Sequence, residues 1–367
     1  MVADTADFTL GVEEEFFVVD ASSWAVVPRA SAVIDASDGA FEAEFHQALV
    51  ENASTVFEDA RQLGDQLGER RAHLAGLASA HGLRLVSAGS VPTLDIGRQM
   101  VTAGPRFERM LDDYQQVARE QLICGSQTHV GFRDRDESIE VMNRIRPWLP
   151  VLLALSASSP FFAGGDTGYA SYRAQLWSRW PTAGMPAAFG SWPEYQEVTT
   201  ELVTSGAIAD KAMLYWWLRP SQHAPTLEFR IADAATTTAE AVMLAGLSRG
   251  LARWTTSLVR DGAPAIDVRP EWLALSTWRA SRFGLTGELL DPLSRRSIAG
   301  PDLVRRLVAL VGQDIGTERE RDAVLGTVER VLEVGNSADR QRRVFALHDR
   351  LEDVTRYLAD ETVSGSP

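Results

Sequence analysis

The sequence predicts an α+β fold. Stretches dense in aromatic and β-branched residues at 10–19, 124–132 and 226–233 read as strands. Between them run segments with apolar residues at three- and four-residue spacing, which read as helices. From Pro270 to about Leu358 the chain is mostly of the helical type. No internal repeat, low-complexity tract or linker divides it, so residues 1–361 are read as one domain and 362–367 as a disordered tail.

The first strand organises the reading. In Leu10-Gly11-Val12-Glu13-Glu14-Glu15-Phe16-Phe17-Val18-Val19, closed by Asp20, side chains alternate between faces. Glu13 and Glu15 therefore project together, while Glu14 shares the core-facing side of Leu10, Val12, Phe16 and Val18. Two carboxylates side by side, next to a glycine that lets a ligand approach, call for a cation, a shared proton or open water. A solvated edge strand is the plainer alternative.

Phe41 to Val56 carries Glu42, Glu44 and Glu51 among apolar residues. Glu44 and Glu51 are seven positions apart, so a continuous strand would place them on opposite faces, and a turn near His46-Gln47 would bring them to one. Glu58 to His81 follows as a helix with Leu63, Leu67, Leu74 and Leu77 on one stripe, ended by Gly82. Leu83 to Ser87 reads as a strand leading into the turn Ala88-Gly89-Ser90-Val91-Pro92.

A second amphipathic helix is expected over Phe107 to Leu122, then a strand with Gln127 and His129 on one face and Thr128, Val130 and Phe132 on the other. The lone histidine is open to a structural or a ligand role. Cys124, with no Cys-His-Asn pattern, reads as a small buried residue. Glu137 to Ser158 is a helix kinked or broken at Pro147 and Pro150.

The longest irregular stretch, 164–193, holds Tyr172, Arg173, Trp177 and Trp180, a composition suited to a lid or pocket wall rather than to disorder. Tyr215 to Pro220 and Thr226 to Asp233 read as strands. In the second, Glu228 and Arg230 share a face opposite Leu227, Phe229 and Ile231. A carboxylate and a guanidinium so placed can take a metal and a phosphate, or form a cross-strand ion pair. Thr237 and Glu240 make a capping box that opens a long helix.

Composition narrows the function classes. The 367-residue chain has a formal net charge of −14, which argues against nucleic acid or an anionic membrane as partner and suits carboxylates gathered around divalent cations. One cysteine excludes an internal disulfide framework and fits a reducing compartment. The first residues lack the pattern of a signal peptide, and the expectation is a cytoplasmic protein. Gly-x-x-x-x-Gly-Lys-[Ser/Thr], a strand followed by Gly-x-Gly-x-x-Gly, His-Glu-x-x-His and Gly-x-Ser-x-Gly are all missing. A nucleotide, if bound, would be held through acidic side chains and Mg²⁺.

Gly-Val-Glu-Glu-Glu-Phe, Glu44 with Glu51, Thr128-His129-Val130-Gly131, Leu153 to Pro160 and Asp166-Thr167-Gly168 occur in order. Ser171-Tyr172-Arg173, Arg219-Pro220-Ser221, Thr226 to Asp233 and Arg282-Phe283-Gly284 follow. Together they resemble the carboxylate–amine ligases of the glutamate–cysteine ligase type 2 family over nearly the whole chain. The resemblance implies a glutamine-synthetase-like fold: a curved antiparallel sheet forming a funnel, with helices packed outside. It also implies ATP with Mg²⁺ or Mn²⁺, and ligation of a carboxylate, typically the glutamate γ-carboxylate, to an amine. The partners implied are these small molecules, with a homodimer allowed.

Carried over residue by residue, the resemblance makes Glu13, Glu15, Glu44, Glu51, His129 and Glu228 the metal ligands. Glu228 and Arg230 become catalytic, with Arg230 on ATP phosphate or an acyl phosphate, and Arg173 on a substrate carboxylate. The loop adds Tyr172 and Trp177 as pocket candidates. Two positions depart from the family pattern: Val91 stands where histidine is usual in the 89–92 turn, and Gln127 where the strand often reads His-Val-His. Both are expected near the acceptor amine, with the pocket more apolar at Val91 and less able to take up a proton at Gln127, which favours an amine with an apolar or aromatic body over cysteine. A binding protein that has lost turnover, and a kinase or hydrolase with the same metals, are the competing classes.

Overall fold

A computed structural model describes residues 7–364. The strands are β1 (Leu10–Asp20), β2 (Glu42–Ala43), β3 (Leu49–Ala53), β4 (Leu83–Val86), β5 (Ser126–Gly131), β6 (Phe161–Phe162) and β7 (Gly165–Asp166), then β8 (Leu218–Pro220) and β9 (Thr226–Phe229). One antiparallel sheet runs β2-β3-β1-β5-β9-β8, with β4 also paired to β1. β1 is long enough to serve two neighbours along one edge: β5 pairs with Leu10–Glu14 and β4 with Phe17–Asp20. The other edge pairs with β3 through Glu13 to Phe17.

The alternation in β1 appears as read. Leu10, Val12 and Glu14 are buried while Gly11, Glu13 and Glu15 face partly open space. Beyond Glu15 both faces are covered. Phe16 and Val18 pack on Leu74, Ala78 and Leu85, and Phe17 and Val19 on Val86, Val91 and Phe161. The helices Ala60–Ala80 and Thr238–Arg260 lie against the Glu14 side of the sheet, so the glutamate-bearing side is left for a cleft.

Glu14 does not reach that cleft. It forms a buried ion pair with Arg71 at 2.6 Å, and Arg71 also donates to the carbonyls of Ala235, Thr236 and Thr362. A buried charge needs such a partner and such satisfied hydrogen bonds.

Several expected elements differ in extent, and the strands expected at 215–220 and 226–233 shorten to Leu218–Pro220 and Thr226–Phe229. The helix expected over 107–122 is two, Pro105–Tyr114 and Gln116–Arg119, separated by Gln115 at φ 48°. The 137–158 segment breaks at Pro147 into Arg135–Ile145, a single 3₁₀ turn and Leu149–Ser156. The irregular stretch contains a helix, Tyr172–Trp177, capped by the Ser171 hydroxyl accepting from Ala174 N. The last helix, Leu351–Ser364, continues past the point expected to be disordered. Thr362 is buried there and its hydroxyl accepts from Ser87 N at 2.8 Å. Residues 365–367 of the expected tail lie outside the described residues. Among the described residues no helix is long and apolar enough to cross a membrane.

Candidate active site

Antiparallel register converts the alternation into rows across one sheet face. Glu42 and Glu15 both stand opposite Glu51, Glu13 opposite Gln127, and His129 opposite Glu228, which faces Arg219 on its other side. Glu44 follows β2 directly, and the Leu49 N to His46 O bond closes the turn that returns the chain into β3. All six acidic or imidazole candidates, with Gln127, Trp177 and Arg230, line one cleft of about 660 Å³.

Two groups of donors lie in it. Ligand atoms of Glu13, His129 and Glu228 fall within 4.8 Å of one another. His129 Nδ1 is 3.0 Å from the Thr226 hydroxyl, which directs Nε2 towards Glu13 Oε1 at 3.1 Å. Nε2 makes no well-aligned hydrogen bond there. Despite burial, the Glu13 contact and the Glu228 charge push the His129 pKa up.

The second comprises Glu15, which stands opposite Glu51 across the strand pair, and Glu44 in the same cleft; these three do not converge within ligand distance as the first three do. Burial, reinforced by Glu44, pushes the Glu15 carboxyl up to about 7. Burial, then Glu44, Glu13 and Glu15, pushes Glu51 up to about 9. Burial also raises Glu44. Crowded carboxylates that resist ionisation fit a site completed by divalent cations, and hard oxygen donors with one imidazole suit Mg²⁺ or Mn²⁺.

The cationic side of the cleft is built on Glu228. Burial alone would raise its pKa, yet the Arg230 and Arg219 guanidiniums hold it well below the usual carboxylate range. Arg219 Nε donates to Glu228 at 2.8 Å and its Nη1 donates to the Leu214 carbonyl at 2.7 Å. Arg230 Nη1 contacts both Glu228 and Gln127, its guanidinium lies 5.5 Å from the Trp177 ring centre, and its Nε has no protein partner.

Three expected site residues are elsewhere. Arg173 is buried below the cleft floor, because the Tyr172–Trp177 helix turns it inward. It donates to the Arg230 and Ile231 carbonyls at 3.3 Å, faces Asp233 at 3.9 Å and fills the space left by Gly125, where a Cβ would overlap it. Tyr172 packs on Phe162 and Tyr169 instead of the cleft. Val91 is fully buried in the core beside Phe161, so it cannot shape an acceptor pocket. Gln127, the other departure, is at the centre of the cleft floor.

The sequence reading missed Arg219, Thr226, Tyr215 and Arg106, all of which line the cleft. Arg219 had a signal, as the one charged residue in the run Leu214 to Pro220. Thr226 is set by the register of β9, and Arg106 and Tyr215 by which segments fold over the sheet.

Residues 9–357 match the model of the family described as glutamate–cysteine ligase family 2. The chain is 40% identical over 362 residues to a Frankia casuarinae protein bearing a glutamate–cysteine ligase 2-2 name, covering 98% of this chain and 42% of that one. A Frankia alni protein bearing the same kind of name is 40% identical over 375 residues, covering 97% of each chain. The chain thus spans less than half of the first relative and nearly all of the second. Among solved structures, a glutamate–cysteine ligase of Francisella tularensis in complex with AMP superposes with a TM-score of 0.73 at 11% identity, covering 99% of this chain and 90% of that one. A bifunctional glutathione synthetase from Pasteurella multocida gives 0.71 at 13%, covering 98% and 52%. These structures share the fold.

Proposed function

Because the chain belongs to glutamate–cysteine ligase family 2, we propose that it is an ATP- and divalent-cation-dependent ligase. It would join a carboxylate, the γ-carboxylate of glutamate in the first instance, to an amine. The observation that carries this reading is the convergence of Glu13, Glu15, Glu44, Glu51, His129 and Glu228 on one cleft beside Arg230.

A carboxylate does not react with an amine directly, because oxide would have to leave. Transfer of the ATP γ-phosphoryl group to the carboxylate makes an acyl phosphate and ADP. The amine then attacks the acyl carbon, phosphate departs with the C–O bonding pair, and the amine gives up a proton. Little covalent chemistry falls to the protein, whose work is positioning and electrostatics. Glu13, His129 and Glu228 would hold one divalent cation and Glu15, Glu44 and Glu51 further ones; cations there neutralise polyphosphate charge. Arg230, with Nη1 anchored and Nε enclosed, would present the remaining terminal nitrogen of its guanidinium to transferring or developing phosphate oxygens.

The test is ATP consumption against a matrix of acids and amines, with mass spectrometry of the products and hydroxylamine as a trap. ADP, phosphate and a hydroxamate are expected. AMP with pyrophosphate would overturn the acyl phosphate, and ATP loss without any coupled product would point to a kinase or hydrolase.

A further inference from the structure

We propose that Gln127 is a positioning residue that joins the two donor groups of the cleft through Arg230, and not a contact for the acceptor amine. This deepens the ligase reading and rests on it. Gln127 is buried, and both ends of its carboxamide are engaged. Nε2 donates to Glu15 Oε1 at 3.3 Å. Oε1 accepts from Arg230 Nη1, and a guanidinium can only donate. The Arg230 end therefore sets the amide orientation, since a flipped amide would turn its NH₂ against the guanidinium.

The bonds continue on both sides. Glu15 Oε2 accepts from Gly125 N at 2.6 Å, and the same Arg230 nitrogen contacts Glu228, which is itself paired with Arg219. One connected line, Glu15–Gln127–Arg230–Glu228–Arg219, thus crosses β1, β5, β9 and β8. Gln127 and Glu228 together occupy Nη1, and Trp177 covers the guanidinium face. Nε is enclosed without a protein partner, so a phosphoryl oxygen would meet the guanidinium at its other terminal nitrogen, Nη2, which makes no hydrogen bond among the described residues. Gln127 holds Arg230 in the attitude that leaves Nη2 for that oxygen. Outer partners of this kind change metal affinity or activity by about 10–100-fold when removed.

A histidine here would be a third candidate ligand near Glu13 and Glu15. The carboxamide instead bridges, without adding a charge. Its role is consequently separable from its bulk.

Gln127→Leu keeps the volume and removes both bonds; Gln127→Glu keeps the oxygen that Arg230 needs and replaces the donor to Glu15 with a carboxylate. In Gln127→Leu, kcat is expected to fall about 10–100-fold with the ATP KM nearly unchanged, because an interaction that matters in the transition state is lost. Gln127→Glu is expected to recover most of that kcat. Mn²⁺ titration without nucleotide should move in opposite directions, weaker in Gln127→Leu and tighter in Gln127→Glu, a split that general loosening of the fold does not produce. In the metal-free protein the Nε–H resonance of Arg230 should shift in Gln127→Leu and stay near its natural position in Gln127→Glu. Equal loss of kcat in both variants, or an unmoved Arg230 resonance in Gln127→Leu, overturns the bridge. Absence of ATP-dependent coupling in the natural protein refutes the ligase reading separately, since the resonance is read without turnover.

Discussion

Two neighbouring glutamates in β1 illustrate how one residue step changes what a carboxylate does. Glu15 and its cross-strand partner Glu51 sit in the cleft, where burial and mutual repulsion favour their neutral forms. With folded pKa values near 7 and 9 against an ordinary 4.5, the folded state holds more protons than the unfolded chain across that interval. Stability of the metal-free protein therefore falls as pH rises from about 4.5 through these values. Glu51→Gln removes a charge that the fold disfavours, so its metal-free Tm at pH 8 should exceed that of the natural protein while metal-dependent turnover is lost. A thermal shift series with and without Mg²⁺ checks both halves. Glu14→Gln should do the reverse. It leaves Arg71 buried without its counter-charge, which costs about 3–5 kcal/mol. A large fall in Tm is expected, with ATP-dependent kcat largely retained by the molecules that remain folded. Equal loss of kcat in Glu14→Gln and Glu13→Gln would remove the distinction between the two faces of β1.

At the scale of elements, the long helix Thr238–Arg260 supports the sheet from behind and is itself pressed closely by its neighbours. A Cβ at Gly246 would lie 2.6 Å from Val324 Cγ2 and 3.3 Å from Cγ1, so both branches of the valine block it. Alanine there gains about 1 kcal/mol of helix propensity. Overpacking a branched side chain that cannot rotate away costs about 1–3 kcal/mol, and the second effect wins. Gly246→Ala should lower the unfolding free energy by a net ~1 kcal/mol, read as a lower denaturant midpoint. The capping box gives an independent check: the Thr237 hydroxyl accepts from Glu240 N, and Thr237→Ala should cost about 1 kcal/mol. The two losses should add in the double variant, since the sites share no partner. Chemical denaturation of the three variants measures this.

Across the whole molecule, distant segments are tied by buried charged residues. Glu320 accepts from Ala60 N and Thr317 N at 2.8 Å and pairs with Arg249, which in turn donates to the Ile315 and Glu58 carbonyls. One carboxylate thereby joins the starts of two helices and the flank of a third. Burial would raise its pKa, but the Ala60 hydrogen bond and Arg249 bring it down to about 2 from 4.5. A depressed folded value means that the contribution is present above about pH 4.5 and is lost as pH falls towards 2. The window corresponds to at most about 3 kcal/mol, or about 2 after screening by solvent near the pair. Stability measured from pH 6 to 3 should decline less steeply in Glu320→Gln than in the natural protein, from a lower starting value. Parallel declines would show that other carboxylates govern acid unfolding.

Local periodicities, and the residue types they place together, follow from the order of residues alone. Glu13 with Glu15, Gln127 with His129 and Glu228 with Arg230 each follow from strand alternation within a few residues. The helix stops at Pro147 and the Thr237 cap were legible for the same reason, because their causes are local. The motif order also carried the family, which the comparisons bear out. Register and enclosure came from folding: which strand lies beside which, and what each side chain meets from far along the chain. Arg219 became the partner of Glu228, and Gln127 the link between Glu15 and Arg230, only through pairing of β8, β9, β5 and β1. Arg173 and Val91 were drawn into the interior because a short helix and a core formed by distant segments surround them. Thr362 is held in the interior because Arg71 and Ser87, nearly three hundred residues earlier, donate to its carbonyl and its hydroxyl, in addition to the bond its hydroxyl makes to Leu358 within the helix.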